Sequence, residues 1–225
     1  MTGADTVPDY NDMTLDELRL ALAPEVANSA VFDGWTMDAV DMAAEMADVD
    51  TDVARLAYKG GAMTMIEAWI AAVDIAMAAE MTAETLAPMK IRERIRALVQ
   101  FRLDAIAGQE EALRRATAIM AMPQNVARSL KTAWHSADVM WRLAGDTATD
   151  YNHYTKRTLL AGIYGATLAV YADDESEGKA DTAAFLDRRI EGVMQFEKAK
   201  AKLVNPDRES FSLSRFLGRM RYPAR

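Results

Sequence analysis

The chain contains no cysteine, only two histidines, and just six prolines and eleven glycines in 225 residues. The first absence excludes disulfides, thiolate nucleophiles and cysteine metal ligands. Two histidines leave little material for a metal centre or a general base. Few glycines and prolines means little of the punctuation that many short strands and turns require. No apolar run reaches the roughly 18 uninterrupted residues that a bilayer-spanning helix needs. The first dozen residues are acidic and polar, with no basic stretch followed by an apolar one, so no secretory or transit leader is read. The expectation from these absences is a soluble, acidic, intracellular protein.

What is present favours helix. Apolar residues make up 51% of the chain, enough to bury a core, and alanine, methionine and leucine dominate. Such side chains lose little rotamer freedom in a helix. Nothing alternates with period two for long enough to predict a strand, so the fold class is all-α. The length suits one domain, or a small head on a larger body.

Charge is split unevenly. Residues 1–58 hold 13 acids against Arg19 and Arg55, a net of −11 where the whole chain carries −8, so the remainder is weakly positive. Eight bases against Asp207 and Glu209 lie between Lys198 and Arg225. One end is anionic and the other cationic.

The spacing predicts a helix from Thr14 towards Phe32, ended by Gly34. A second, "WTMDAVDMAAEM", takes Thr36 as N-cap and Asp38 in its first turn. A third, "DTDVARLAY", stops at Lys59-Gly60-Gly61. Three short helices with tight turns form a helix-turn-helix-like head over 1–61. Long helices follow over 62–81, 88–107, between Gly108 and Pro123, from Gln124 onward, over 151–171 and over 181–203. In them Ile91, Ile95, Leu98 and Arg102 fall on neighbouring rows, and Ala127, Leu130, Trp134, Ala137 and Trp141 form a stripe. The body is 62–205, and 206–225 is a separate terminal segment.

The head does not suit DNA. A recognition helix must neutralise phosphates, yet Asp50–Tyr58 offers one arginine and two aspartates on a head of strongly negative charge. Catalysis finds little footing either. Asp150-x-x-His153 is the one acid-x-x-His spacing, and His135 has Thr132 at that offset, so the two motifs of a di-iron bundle are not both present. No phosphate loop or nucleophile elbow appears. The reading is a non-enzyme with no metal and no cofactor.

Three features ask for a partner or a ligand. Ala161, Gly162, Gly165 and Ala166 put small residues on successive turns, and glycine in a helix marks a close approach, by core packing, a dimer mate or a bound chain. The 15 methionines are either core filler or the lining of a deformable apolar cavity. In "SFSLSRFLGRMRYPAR", Leu213, Phe216, Leu217 and Met220 fall at helical spacing beside Phe211, with Arg215 and Arg219 on the other side. A short basic amphipathic helix of this kind lies on an anionic membrane, docks in a partner groove, or folds back on its own body.

One stretch is denser than the rest. "AMPQNVARSL", "MWRLAGDTATDYNHYTKRTLLAGIYGATLAVY", "DDES" and "DTAAFLDRRI" together resemble the lipid-binding accessory family of ubiquinone (coenzyme Q) biosynthesis, the ninth Coq component, from about Met120 to Val193. The resemblance implies a TetR-like fold, with a helix-turn-helix-like head, a helical lipid-binding and dimerisation body and a C-terminal amphipathic helix. It implies a homodimer without DNA binding and a cavity for isoprenoid lipid, quinone intermediate or phospholipid. The implied partners are the membrane surface and the di-iron hydroxylase that acts on demethoxyubiquinone. The implied location is peripheral to the inner membrane, on the bacterial cytoplasmic or mitochondrial matrix side. It assigns Tyr154, Lys156 and Arg157 to a lipid-headgroup patch, the arginine fork holding a phosphate or quinone oxygen at a cavity mouth. It assigns Trp141, Tyr151, Asn152, His153 and Tyr154 to partner docking, with Asp146, Asp150 and Asn152 in the turn. His153 stands where family members often carry tryptophan. The alternative for this corner is a helix N-terminus stabilised by Asp150 with its aromatics simply packed.

Overall fold

The computed structural model describes residues 10–147 and 151–204. They form ten α-helices: α1 (Leu15–Asp33), α2 (Met37–Met46), α3 (Thr51–Ala57), α4 (Ala62–Glu80), α5 (Ala83–Leu86), α6 (Ile91–Asp104), α7 (Glu110–Met120), α8 (Val126–Leu143), α9 (Tyr151–Asp173) and α10 (Ala180–Val204). Among the described residues there is no strand, as the lack of period-two alternation predicts. The chain divides into two compact units, one running through Leu186 and the other beginning at Asp187.

Local chemistry sets the helix ends. Thr14 caps α1 in a capping box: its hydroxyl accepts from Glu17 N, while the Glu17 carboxylate accepts from Thr14 N at 2.9 Å. Those bonds hold the Glu17 carboxyl below its ordinary pKa. Gly34, at φ +70°, ends the helix as expected, in a conformation that side chains disfavour. Asp50 caps α3, accepting from Asp52 N at 2.8 Å and Val53 N at 3.2 Å. Thr36 differs from expectation. It sits at the N-cap of α2, but its hydroxyl donates to Asp33 O at 3.3 Å instead of capping the helix.

The head packs on the body through α1, which lies against α4 and α7. Trp35 and Trp69 stack with centroids 5.3 Å apart, and Trp35 Nε1 donates to Ala112 O at 3.0 Å. This places the aromatic mass inside while satisfying its polar end. The core is continuous from Leu18, Leu22 and Val26 on α1 through Met65, Ile66 and Met77 on α4 to Leu98 and Leu103 on α6, all fully buried. Truncating such a leucine to alanine typically costs about 2–5 kcal/mol. Helix α4 is long and apolar enough to cross a membrane by length and composition. In this fold one face of it is core, with Met63, Ile66, Trp69 and Met77 buried.

Candidate functional site

Five helices, α4, α6, α7, α8 and α9, leave an apolar cavity of about 190 Å³ between them. Its walls include Trp69, Val73, Ile106, Leu113, Met120 and Leu168. An engineered apolar cavity of about 150 Å³ admits benzene, so the space here suits a ring or a short branched segment of chain. One methionine takes part in the lining, Met120. Met65, Met77 and Met140 are fully buried core residues outside it.

A polar group stands in this greasy wall. The row Ile95, Leu98, Arg102 faces inward, so α6 carries Arg102 into the core at 1% exposure. Asp74, the buried carboxylate of the apolar helix α4, meets it in an ion pair with Arg102 Nη1. Ser136 Oγ donates to Asp74 Oδ2 at 2.9 Å and lies 3.4 Å from Arg102 Nη2. The Tyr164 ring stacks on the guanidinium, 4.8 Å from centroid to Cζ. Burial pushes the Arg102 pKa down, but Tyr164 and Asp74 outweigh it, and the net direction is upward. The guanidinium stays charged. Sequence reading placed Arg102 on a helix row without giving it a role, and missed Asp74 and Ser136. The available signal was an arginine in an apolar row and a lone aspartate in the midst of "AAVDIAMAA".

A second cluster forms where α8 ends and α9 begins. Arg157 Nε donates to Asp138 Oδ1 at 2.5 Å, and Nη1 donates to Asp146 Oδ2 at 3.1 Å and to His153 O at 3.2 Å. Lys156 Nζ binds Asp146 Oδ1 at 2.6 Å and lies over the Trp141 ring at 5.3 Å. Trp141 Nε1 donates to Lys156 O at 3.0 Å, tying the end of α8 to the first turns of α9. Arg142 adds a bond to Asp138 Oδ2 at 2.8 Å. Burial would raise both carboxyls, but the cations bound to them prevail and hold both below the ordinary carboxylate value.

Arg157, expected in a headgroup patch, lies inside this cluster. It is 2% exposed and spends its fork on two carboxylates. The reason is local: Asp138 and Asp146 flank it from α8 and the turn after it, and paired burial is favoured over leaving either charge alone. Lys156 is half-exposed but likewise tied to Asp146.

The rings of Trp134, His153 and Tyr154 meet beside this cluster. Tyr154 is 62% exposed, its ring 5.1 Å from His153 and 6.0 Å from Trp134. Leu130 and Val126 on α8 are exposed as well. The apolar stripe of α8 therefore divides, Ala137 going to the core while Leu130 stays outside. Farther along α9, Gly162, Gly165 and Ala166 are exposed, and a Cβ built on Gly162 meets nothing within 4 Å. Among the described residues, nothing lies within 4 Å of a Cβ built on Gly165 either. Tyr151 and Asn152 belong to the first turn of α9, and their side chains lie outside the described residues, as does Asp150. So do Phe211, Leu213, Arg215, Phe216, Leu217, Arg219 and Met220 of the expected membrane helix. Among the described residues no group of three His, Asp or Glu side chains is arranged to hold a metal ion.

A three-helix head on an all-helical body with an internal cavity defines the TetR-like class. A TetR transcriptional regulator from Nitrosomonas europaea ATCC 19718 superposes with a TM-score of 0.63 at 22% identity, over 80% of this chain and 99% of that one. That likeness establishes the fold alone. The sequence carries the assignment further: residues 126–197 match the COQ9 family model, so the resemblance to the ubiquinone biosynthesis family holds in this region. The chain is 41% identical to the mitochondrial ubiquinone biosynthesis protein COQ9 of Rattus norvegicus over 105 residues, 47% of this chain and 34% of the rat protein. It is 37% identical to the human protein over 105 residues, 47% and 33% of the two chains. With COQ9-A of Xenopus laevis the match is 28% over 171 residues, 72% and 53%. The chain thus spans between about a third and a half of the length of these relatives.

Proposed function

We propose that the protein is a non-catalytic, lipid-binding accessory factor of ubiquinone biosynthesis. It takes part of an isoprenoid lipid, quinone intermediate or phospholipid between α4, α6, α7, α8 and α9 and presents it to the di-iron demethoxyubiquinone hydroxylase. The observation that carries this reading is the apolar cavity, two of whose walls, α8 and α9, belong to the region matching the COQ9 family. At about 190 Å³ it takes one segment of a long chain at a time, so the remainder extends beyond it.

The exposed Tyr154 ring, with the half-buried Trp134 and His153 rings beside it, supplies the docking surface for the hydroxylase in this reading, with Arg157 beneath them as its internal brace. The small-residue face of α9 supports a homodimer, since two such faces approach closely without side-chain obstruction. The basic amphipathic segment 211–225 supports attachment to the inner membrane, on the matrix side in a mitochondrial setting.

Organic extraction of the purified protein followed by mass spectrometry tests the central claim. Isoprenoid, quinone or phospholipid recovered from wild type and lost from the cavity-filling variant Ala161→Phe is the expected result. A lipid-free wild type, or equal lipid in a folded variant, overturns it. A TetR-type regulator sensing a lipid-like ligand is the second reading, favoured by the overall fold. Tight, salt-sensitive binding to duplex DNA would establish it.

A further inference from the structure

Arg102 is the charged group of the cavity wall, beside the hydroxyl side chains Thr117, Thr132, Ser136 and Tyr164. Arg102 lines it, and among the described residues Arg102 Nε is the buried side-chain nitrogen left without a hydrogen-bond partner. The other atoms of the cluster are engaged. Nη1 is paired with Asp74, Nη2 lies 3.4 Å from Ser136 Oγ, and the Ser136 proton is directed at Asp74 Oδ2, 2.9 Å away. An N–H buried without an acceptor is a standing free-energy penalty that a bound acceptor removes.

Charge and space select the acceptor. Arg102 is already matched by Asp74, so the cluster is neutral as a whole. A carboxylate or phosphate would meet the Asp74 charge and surrender hydration that the apolar walls do not replace. A neutral carbonyl oxygen suits a single N–H, and its carbon frame suits walls built from residues such as Ile66, Val73 and Leu168. Resting on the lipid-cavity reading above, we infer that Arg102 Nε is a subsite for a neutral carbonyl oxygen of the molecule held in this cavity. The carbonyl belongs either to a ring, as in a quinone, or to a chain, as in an acyl ester. Both present the same acceptor.

Small probes test this on the full chain. Binding of acetophenone, heptan-2-one, isopropylbenzene and benzoate is followed by the methyl NMR shifts of Ile66, Ile70, Ile106 and Leu113. In a wall without a donor, a ketone is disfavoured relative to a hydrocarbon of the same shape, because its oxygen loses water without replacement. Two variants remove the donor: Arg102→Lys, which keeps the charge facing Asp74 but has no Nε, and the double variant Asp74→Leu/Arg102→Met, an apolar replacement of the whole pair. Where the double variant fails to fold, the lysine variant carries the test. The expected result is that the acetophenone-to-isopropylbenzene affinity ratio falls about tenfold or more in either variant, with benzoate weaker than acetophenone in wild type. Tight acetophenone alone assigns a ring carbonyl, tight heptan-2-one alone a chain carbonyl, and both together the shared group. An unchanged ratio while isopropylbenzene still binds overturns the subsite and leaves the cavity reading standing. Benzoate binding tightest overturns it in favour of an anion site. Methyl shifts that respond to none of the four probes overturn both readings.

Discussion

Replacing Arg157 with alanine separates a brace from a binding contact. In the wild-type fold the guanidinium is 2% exposed and joins Asp138 to Asp146, whose side chains are 13% and 5% exposed. The alanine variant leaves two largely buried carboxylates with only Arg142 and Lys156 beside them, each on one oxygen. Removing one member of a buried ion pair costs about 3–5 kcal/mol, because the stranded charge has already lost its water. For a chain of this size that corresponds to a fall of roughly 6–20 °C in melting temperature. Thermal and urea unfolding followed by circular dichroism at 222 nm measure it. Arg157→Lys should lie between the two, since one ammonium cannot reproduce a fork that bridges two carboxylates. A variant melting within about 2 °C of wild type while losing lipid or hydroxylase binding would refute the brace and restore the headgroup role.

The same cluster sets a pH dependence with a definite sign. Burial alone would raise the Asp138 and Asp146 carboxyls, but their bonds to Arg157, and to Lys156 at Asp146, bring both below the ordinary value. A carboxyl depressed in the folded state contributes stability that is fully present above its unfolded pKa of about 3.9. That contribution disappears as pH falls through the folded values. Wild-type stability should therefore drop over this acid range, and the drop should be shallower in Arg157→Ala.

The remaining predictions concern surfaces. Tyr154→Ala should weaken hydroxylase association in calorimetry or pulldown with helix content unchanged, because the ring is largely exposed; wild-type binding would remove the aromatic patch as the docking site. Gly162→Leu with Ala166→Leu should convert a dimer to a monomer in light scattering while the subunit keeps its fold, since a Cβ at Gly162 meets nothing within 4 Å among the described residues; an unchanged mass moves the interface elsewhere. Deleting residues 211–225 should sharply reduce flotation with anionic liposomes at low salt, and equal flotation would refute the membrane anchor.

Helix positions were legible because caps and breakers are local chemistry. Thr14 with Glu17, Asp50 with the α3 amides, and Gly34 at positive φ each act within a few residues. The short α5, Ala83–Leu86, escaped notice because four residues are too few for a period. Helix α1 runs on through Pro24, whose missing N–H costs it one backbone bond, as the spacing from Thr14 towards Phe32 predicts. The corner at 141–160 was legible as a cluster but not as an arrangement. The motif brings Lys156 and Arg157 together in sequence. Which of them turns inward depends on Asp138, 19 residues earlier, a relation visible once α8 and α9 are packed. Arg102 and Asp74 were less legible still, their partnership spanning 28 residues and two helices.

The acidic head bears on the cavity through its packing. On α3 the exposed side chains are Asp52, Val53, Arg55 and Leu56, and Arg55 is held by both oxygens of Asp41 at 2.7 and 2.5 Å. The cation best placed to meet a phosphate is thus already neutralised, and each lost phosphate contact weakens duplex binding further. The head's inner face is occupied differently. Arg19 Nε donates to Ala57 O at 2.5 Å, and Tyr58 OH donates to Arg19 O at 2.6 Å, locking α3 to α1. Helix α1 packs against α4, and its side of the interface brings Trp35 against Trp69, which is itself part of the cavity wall. Gln109 extends this contact, accepting from Trp69 Nε1 at 3.1 Å and donating to Asn28 at 2.6 Å. Trp69 is therefore fixed from the head side, and a cavity keeps its shape only if its walls cannot collapse inward. The physical role that follows for a head so poorly charged for DNA is to buttress α4, holding open the space that α6 to α9 close from the other side.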